Sequence, residues 1–159
     1  MKKKEVKIME LIKEKYIILE IIPTALTPER GEIIQLSALK IDGLKLLDRF
    51  DYRLNEKYIF IEDFKNLISY DKDLFVYKDS TKAILKDFEK WSENLPLLIM
   101  DNKYTKNFLQ SLNNPKESIS NYLNKEYTDK FIEELIEENK IEPTNYIVDI
   151  LYESLIKHL

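Results

Sequence analysis

The segment Tyr16–Asp42 reads YIILEIIPTALTPERGEIIQLSALKID. Its opening residues are nearly all β-formers, and they are apolar on both faces of a strand. Strands of this kind are covered on both sides in a folded protein, so we predict that residues 16–22 form a central strand. Pro23 ends that strand, because proline has no N–H to donate to a sheet ladder. After a loop that contains Gly31, residues 32–42 predict a second strand.

Further elements follow along the chain. Asp42-Gly43 is a turn signal, and residues 44–54 predict a third strand, so the first three strands form a meander. From Ser80 to Trp91 apolar residues recur at helical spacing behind a Ser/Thr cap, which predicts a helix packed on the sheet. The remaining predicted elements are a short buried strand at 97–100 and helices at 104–112, 128–139 and 143–159.

The composition limits the chemistry available to the chain. Its 159 residues, 44% hydrophobic and 34% charged, have the size and character of one folded domain. Two glycines are too few for a glycine-rich phosphate loop. There is no cysteine, and the one histidine is His158, which excludes cysteine nucleophiles, structural zinc, Ser-His-Asp triads and paired-histidine metal sites. Catalysis would therefore use carboxylates, hydroxyls, lysines or an oxygen-bound metal.

The charge pattern bears on partners and location. A net charge of -4 argues against affinity gained by neutralising many phosphates, although a locally basic groove stays open. Three of the 25 basic residues are arginines, so sequence-specific base reading is not expected. Residues 1–14 form a basic N-terminal segment without the apolar run of an export signal, and no membrane span is found. We expect a single domain at 15–159, located in the cytoplasm.

Three carboxylates stand at unusual positions. Glu20 lies among the apolar residues of the first strand, where an ionised group is costly unless it is paired or binds a cation. Asp149 is set among apolar residues of the last helix, and Asp101 directly follows the strand at 97–100, where α/β sheets present ligands. Each has a structural alternative. Glu20 reaches solvent or a lysine at the strand end, Asp149 benefits from the helix macrodipole, and Asp101 caps the next helix.

Residues 16–40 combine an apolar strand, an acid, the pattern Thr-x-Leu-x-Pro-Glu-Arg, and then Ile-Ile-x-Leu-x-Ala. This combination resembles the first motif of the DEDD superfamily of 3′-to-5′ exonucleases, which includes ribonuclease T and the proofreading epsilon subunit of bacterial DNA polymerase III. Weaker likenesses follow in the same order at Leu54-Asn55, Asp87-Phe88-x-x-Trp91, Tyr104-x-x-x-Phe108-Leu109 and Glu133-Glu134-Leu135 through Asp149. The resemblance implies a ribonuclease-H-like α/β fold: a mixed sheet, with an antiparallel three-strand meander plus crossover strands, flanked by helices.

The resemblance also implies a metal site. In this family four carboxylates hold two divalent ions, Mg²⁺ or Mn²⁺, which activate a water while a histidine or tyrosine acts as the base. Glu20 and Asp149 match two of the four ligand positions. Ile22 replaces the second acid of the first motif, and Thr105 replaces the acid of the third. Thr144 stands at the position of the base and cannot accept a proton near neutral pH.

The incomplete ligand set shapes the predicted function. Two divalent ions bring about +4, whereas the two matched carboxylates supply about -2. The resemblance therefore implies an exonuclease-like domain that has lost nuclease activity and keeps a surface for single-stranded DNA or RNA 3′ ends, or for a polymerase or repair protein. One alternative is an active single-strand 3′-to-5′ exonuclease with a reduced metal site of Glu20, Asp101 and Asp149. The other is a non-enzymatic protein-interaction module. No membrane partner is expected.

Overall fold

The computed structural model describes residues 13–25, 28–55, 57, 75–99, 103–110, 116–118, 131–140 and 147–157. The elements within them are, in chain order, β1 (Lys15–Pro23), β2 (Ile33–Asp42), β3 (Lys45–Leu54), β4 (Val76–Lys78), α1 (Thr81–Ser92), β5 (Leu97–Ile99), α2 (Lys103–Phe108), β6 (Lys116–Ser118), α3 (Phe131–Asn139) and α4 (Ile147–Lys157). None of these described helices is long and apolar enough to cross a membrane.

The strands form one mixed sheet in the order β4-β3-β2-β1-β5-β6. β1, β2 and β3 pair antiparallel, and β4, β5 and β6 join as parallel strands. The turn between β2 and β3 contains Gly43 at φ 64°, a left-handed conformation that glycine adopts without steric cost. The predicted meander and the predicted α/β class, a mixed sheet flanked by helices, are both confirmed.

Helices cover the sheet on both faces, which explains why β1 is apolar on both faces. One side, which we call the α4 face, packs on α3 and α4 in a cluster of Tyr16, Ile18, Leu39, Ile41, Leu98, Leu135, Val148, Ile150, Leu151 and Leu155. The other side packs on α1 and α2 in a cluster of Ile17, Leu19, Ile21, Ile33, Leu36, Ala38, Phe50, Ile84, Phe88, Leu97, Ile99, Phe108 and Leu109. Glu20 belongs to the α4 face, because side chains alternate along a strand.

The α1 helix has a capping group at each end. Ser80 is the N-cap, and its hydroxyl oxygen accepts a hydrogen bond from the Ala83 N–H at 3.1 Å, as the sequence predicts. At the other end Glu93 takes a left-handed conformation at φ 53°. The Lys40 ammonium on β2 donates to the Trp91 carbonyl oxygen at 2.5 Å. A cation at this end of a helix is favourable, because the last carbonyls are otherwise without partners.

The structure also departs from the sequence prediction. β4 and β6 were not expected, since three residues are too few to show the alternation that identifies a strand. The described parts of α3 and α4 begin at Phe131 and Ile147, later than the predicted helices. Residues 128–130 and 143–146, where those helices were predicted to start, lie outside the described residues. Most of the N-terminal segment does too, so the predicted domain limits remain predictions.

Candidate functional site

A row of polar side chains crosses the α4 face of the meander. Glu20 on β1 lies opposite Ser37 on β2, which in turn lies opposite Asp51 on β3. Directly opposite residues in neighbouring antiparallel strands point to the same face, so the three side chains are neighbours. Their exposed fractions are 6%, 2% and 7%. The fold therefore places two acids, with a hydroxyl between them, in the interior.

The next row on this face is also polar and buried. Gln35 lies opposite Arg53, and the Arg53 side chain is completely buried. Arg53 donates from Nε and Nη2 to Gln35 Oε1 at 3.2 and 3.1 Å, and Gln35 Nε2 donates to Ser37 Oγ at 3.1 Å. The Arg53 guanidinium also lies 4.0 Å from the ring centre of Phe75, a cation–π contact. These contacts offset part of the cost of placing a charge in the interior.

The Glu20 carboxyl lies at the β1 end of the first polar row. No hydrogen-bond partner is found for its Oε2 atom among the residues that the structure describes. Burial raises the pKa of the Glu20 carboxyl to about 8, because the ionised form loses its hydration in the interior. Glu20 is therefore mostly protonated at neutral pH. The structural alternative, a carboxylate that reaches solvent at the strand end, does not hold, since the residue is buried.

Asp149 is held by an arginine. Arg49 on β3 donates from Nη1 to Asp149 Oδ1 at 2.6 Å and from Nη2 to Asp149 Oδ2 at 3.2 Å. The same guanidinium donates from Nε to Asp51 Oδ2 at 3.0 Å. Burial alone lowers the pKa of Arg49, but the hydrogen bonds and charges of Asp149 and Asp51 raise it overall, so the group stays cationic. Arg49 thus joins α4 to the sheet through two carboxylates.

The predicted site residues are only partly brought together. Glu20 lies on the α4 face of the sheet, and Asp149 lies on α4 itself. Among the described side chains no hydrogen bond links the two, and Asp149 instead accepts hydrogen bonds from Arg49. Thr105, at the position of the third-motif acid, is buried in α2. Asp101 and Thr144 lie outside the described residues. Their predicted roles, as a third metal ligand and as the residue at the base position, stay predictions.

Arg49 and Asp51 were not found by the sequence reasoning. The signal was present in β3, which reads KLLDRFDYRL and carries Arg49, Asp51 and Arg53 at every second position. Charges at this period are usually the solvent face of an antiparallel strand. Here Asp51 and Arg53 are buried, and Arg49 is half-buried. The charged stripe of β3 therefore faces the interior, where each charge needs a partner.

The donor set does not fit the two divalent ions that the family resemblance implies. Within the described ranges no three His, Cys, Asp or Glu side chains are grouped so that they could hold a metal ion. At the position on β1 where the resemblance implies a second acid, this chain has Ile22, which offers no ligand atom. Asp149 already accepts two hydrogen bonds from a guanidinium, and Glu20 is a neutral acid at pH 7. A cation of the protein itself occupies the carboxylate that a metal would need.

Comparison with known proteins gives matches at the level of structure. No family model matches the sequence, and no curated protein sequence matches it. Among solved structures, product-bound exonuclease I is 12% identical with a TM-score of 0.52, over 91% of this chain and 42% of that chain. Apo exonuclease I is 12% identical with a TM-score of 0.55, over 92% and 42%. A complex described as ExoI/SSB-Ct is 10% identical with a TM-score of 0.54, over 91% and 40%.

These matches concern the fold. The chain spans about two-fifths of the length of the exonuclease I chains. At identities of 10% to 12% the likeness says nothing by itself about activity. It does agree with a mixed sheet that is flanked by helices. The chain has the ribonuclease-H-like fold of exonuclease structures.

Proposed function

We propose that this chain is an exonuclease-like domain that binds single-stranded nucleic acid and has lost metal-dependent nuclease activity. The observation that carries the proposal is the contact of Arg49 with both oxygens of Asp149. Asp149 matches the last metal ligand of the DEDD family, and a guanidinium on it excludes a divalent ion from the same oxygens. The other matched acid, Glu20, is kept neutral by burial.

The chemistry of phosphodiester hydrolysis supports the loss of activity. Two-metal nucleases use the ions to activate a water and to stabilise the leaving oxygen, which requires ionised carboxylates around both ions. Here one carboxyl is protonated and another is neutralised by Arg49. In the sequence Thr144 replaces the general base. Only an active form, with Asp101 as an added ligand, would need Mg²⁺ or Mn²⁺.

The nucleic-acid part of the proposal is supported by the fold. One exonuclease I structure of this fold is described as product-bound. Because the net charge of this chain is -4, we propose weak binding to the 3′ end of a single strand, without base specificity, through local lysines. A cytoplasmic location and a single domain at 15–159 are part of the same proposal.

The test measures hydrolysis and binding separately. A 3′-labelled single strand, as DNA and as RNA, is incubated with the protein in millimolar Mg²⁺ or Mn²⁺. We expect no cleavage above that of the Asp149→Ala variant, and retention of the strand that weakens steeply with salt. Cleavage that both Glu20→Ala and Asp149→Ala abolish would show the active enzyme with a reduced metal site.

A second candidate is a domain that binds a polymerase or repair protein instead. Leu44 in the turn between β2 and β3, and Leu46 and Leu47 at the start of β3, are exposed, with exposed fractions of 46%, 37% and 41%. Clustered exposed leucines favour a protein partner. One exonuclease I structure of this fold is described as a complex with SSB-Ct. If single strands are not retained at low salt, binding to an SSB C-terminal peptide by wild type but not by Leu46→Lys would support this candidate.

A further inference from the structure

The Arg49 guanidinium contacts carboxylates from two different elements of the fold. Asp51 on β3 and Asp149 on α4 both contact the Arg49 guanidinium, and their side chains are 5% and 26% exposed. Two carboxylates brought together with so little water repel each other unless a cation lies between them. The Arg49 side chain, itself 30% exposed, supplies that cation.

The contacts use the guanidinium as a bridge. Its Nη1 and Nη2 atoms donate to Asp149, and its Nε atom donates to Asp51 at 3.0 Å. Planar guanidinium groups bind carboxylates in this two-bonded way, which an ammonium cannot reproduce. The two aspartates are therefore held by one cation, as two carboxylates are held by one metal ion in a metal site.

The two acids of the polar row carry oxygen atoms without a hydrogen-bond partner among the described residues. Asp51 Oδ1 is buried and has no hydrogen-bond partner among the described residues, while its Oδ2 accepts from Arg49. Glu20, two strands away in the same row, has a buried Oε2 atom in the same condition. Ser37 Oγ lies between these two acids in the register. Asp51 thus keeps one acceptor oxygen for which the described residues supply no donor.

We infer that Asp51 and Asp149 form a latent divalent-cation site that Arg49 blocks by acting as a built-in cation. The inference rests on the proposed function, in which Arg49 keeps a divalent ion from the Asp149 carboxylate. Two carboxylates with water ligands are enough for an ion such as Mg²⁺ or Mn²⁺, which keeps several waters. Asp51 is not one of the positions that matched the family, so the site is set by the contacts of Arg49 and not by the motif.

The experiment removes the guanidinium and adds an ion. Wild type, Arg49→Ala and Arg49→Lys are titrated with Mn²⁺ alone, and binding is followed by the loss of the free-ion electron paramagnetic resonance signal and by the shift in Tm. We expect Arg49→Ala to bind Mn²⁺ at least about tenfold more tightly than wild type, with a higher Tm in the presence of the ion. Arg49→Lys keeps a positive charge and should bind no better than wild type. Asp149→Asn added to Arg49→Ala should abolish the gain.

The possible outcomes separate this inference from the proposed function. Mn²⁺ binding by wild type that Asp149→Asn removes would contradict the proposed function. No binding by wild type and none by folded Arg49→Ala would overturn the latent site and leave the proposed function standing. If Arg49→Ala does not fold without metal, folding restored by Mn²⁺ supports the site. If Mn²⁺ restores neither Arg49→Ala nor the longer neutral variant Arg49→Gln, the inference is wrong.

Discussion

The buried Glu20 carboxyl makes the stability of the protein depend on pH. Its pKa is about 8 in the folded protein and 4.5 in an ordinary exposed setting, so between these values the folded state binds the extra proton. The unfolding free energy must then fall as pH rises from 4.5 to 8 and level off above 8. At about 1.4 kcal/mol per pH unit, this group accounts for a loss of about 4 to 5 kcal/mol.

Replacing Glu20 with the neutral Gln should remove this dependence. Between pH 5 and pH 8, we expect the difference in unfolding free energy between Glu20→Gln and wild type to shift by several kcal/mol in favour of the variant. Urea unfolding at several pH values measures it, and Glu137→Gln on the exposed face of α3 is the matched control. A pH-independent difference between Glu20→Gln and wild type would mean that Glu20 is ionised in the folded protein.

Gly31 shows a second constraint at the level of one residue. A Cβ atom at this position would lie 2.6 Å from Ala25 Cβ, 2.7 Å from Ala25 N and 2.8 Å from Thr24 Oγ1. The loop is fixed there, since the Glu32 N–H donates to Thr24 Oγ1 at 2.9 Å and the Thr24 N–H donates to the Glu32 carbonyl at 2.9 Å. The space beside the end of β1 is therefore filled by protein.

We expect Gly31→Ala to destabilise the protein by about 1 to 3 kcal/mol, because the added methyl group has no room. Thermal and urea unfolding measure the loss. Adding Ala25→Gly removes the contact with Ala25 Cβ but not the one with the backbone nitrogen at 2.7 Å, so it should restore only part of the stability. Full stability in Gly31→Ala would show that the loop moves apart at little cost.

Among the elements, α1 depends on a residue of β2 at its C-terminal end. The Lys40 ammonium donates to the Trp91 carbonyl oxygen at 2.5 Å and to Glu93 Oε1 at 2.7 Å, and lies 4.5 Å from the Trp91 ring centre. The Lys40 side chain is 10% exposed, whereas that of Glu93 is 66% exposed. The contact with the helix end should therefore matter more than the exposed ion pair.

Lys40→Met keeps most of the apolar stem and removes the donor. We expect it to lower the unfolding free energy by about 1 to 2 kcal/mol, since the Trp91 carbonyl in the last turn of α1 loses this donor. Glu93→Gln, which leaves that carbonyl contact in place, should change stability little. Urea unfolding compares the variants, and amide hydrogen exchange locates the change in the last turn of α1. An equal loss in both variants would assign the effect to the ion pair.

The elements also show what the sequence could and could not predict. β1, β2, β3 and α1 were predicted within a residue or two, because apolar periodicity and the Ser80 cap are local signals. The candidate site was predicted less well, since Glu20 and Asp149 were found as acids in apolar surroundings but Arg49 was not. An ion pair between residues 49 and 149 leaves no local pattern, and it arises only when α4 packs on the sheet.

In the whole molecule, α4 is joined to the sheet by two kinds of contact. Val148, Ile150, Leu151 and Leu155 pack against the α4 face in the apolar cluster. The Tyr152 hydroxyl, from the middle of α4, donates to the Leu44 carbonyl oxygen at 2.6 Å, and Asp149 in the first turn binds Arg49. Apolar packing is not directional and holds the helix on the sheet, whereas the two polar contacts, about one turn apart on α4, help to fix its position along the axis.

The Arg49–Asp149 contact should therefore appear as a coupling energy between distant parts of the chain. A double-mutant cycle with Arg49→Ala, Asp149→Asn and the double variant, in a buffer with a chelator so that no divalent ion binds, isolates it. We expect about 1 to 2 kcal/mol, above the value for an exposed ion pair, because the contact is two-bonded and half-buried. The double variant should cost less than the sum of the two single variants, since each single variant leaves one charge without its partner. A coupling below about 0.3 kcal/mol, within the error of additivity, would mean that packing alone positions α4. Arg49 would then act mainly by compensating the charge of Asp51.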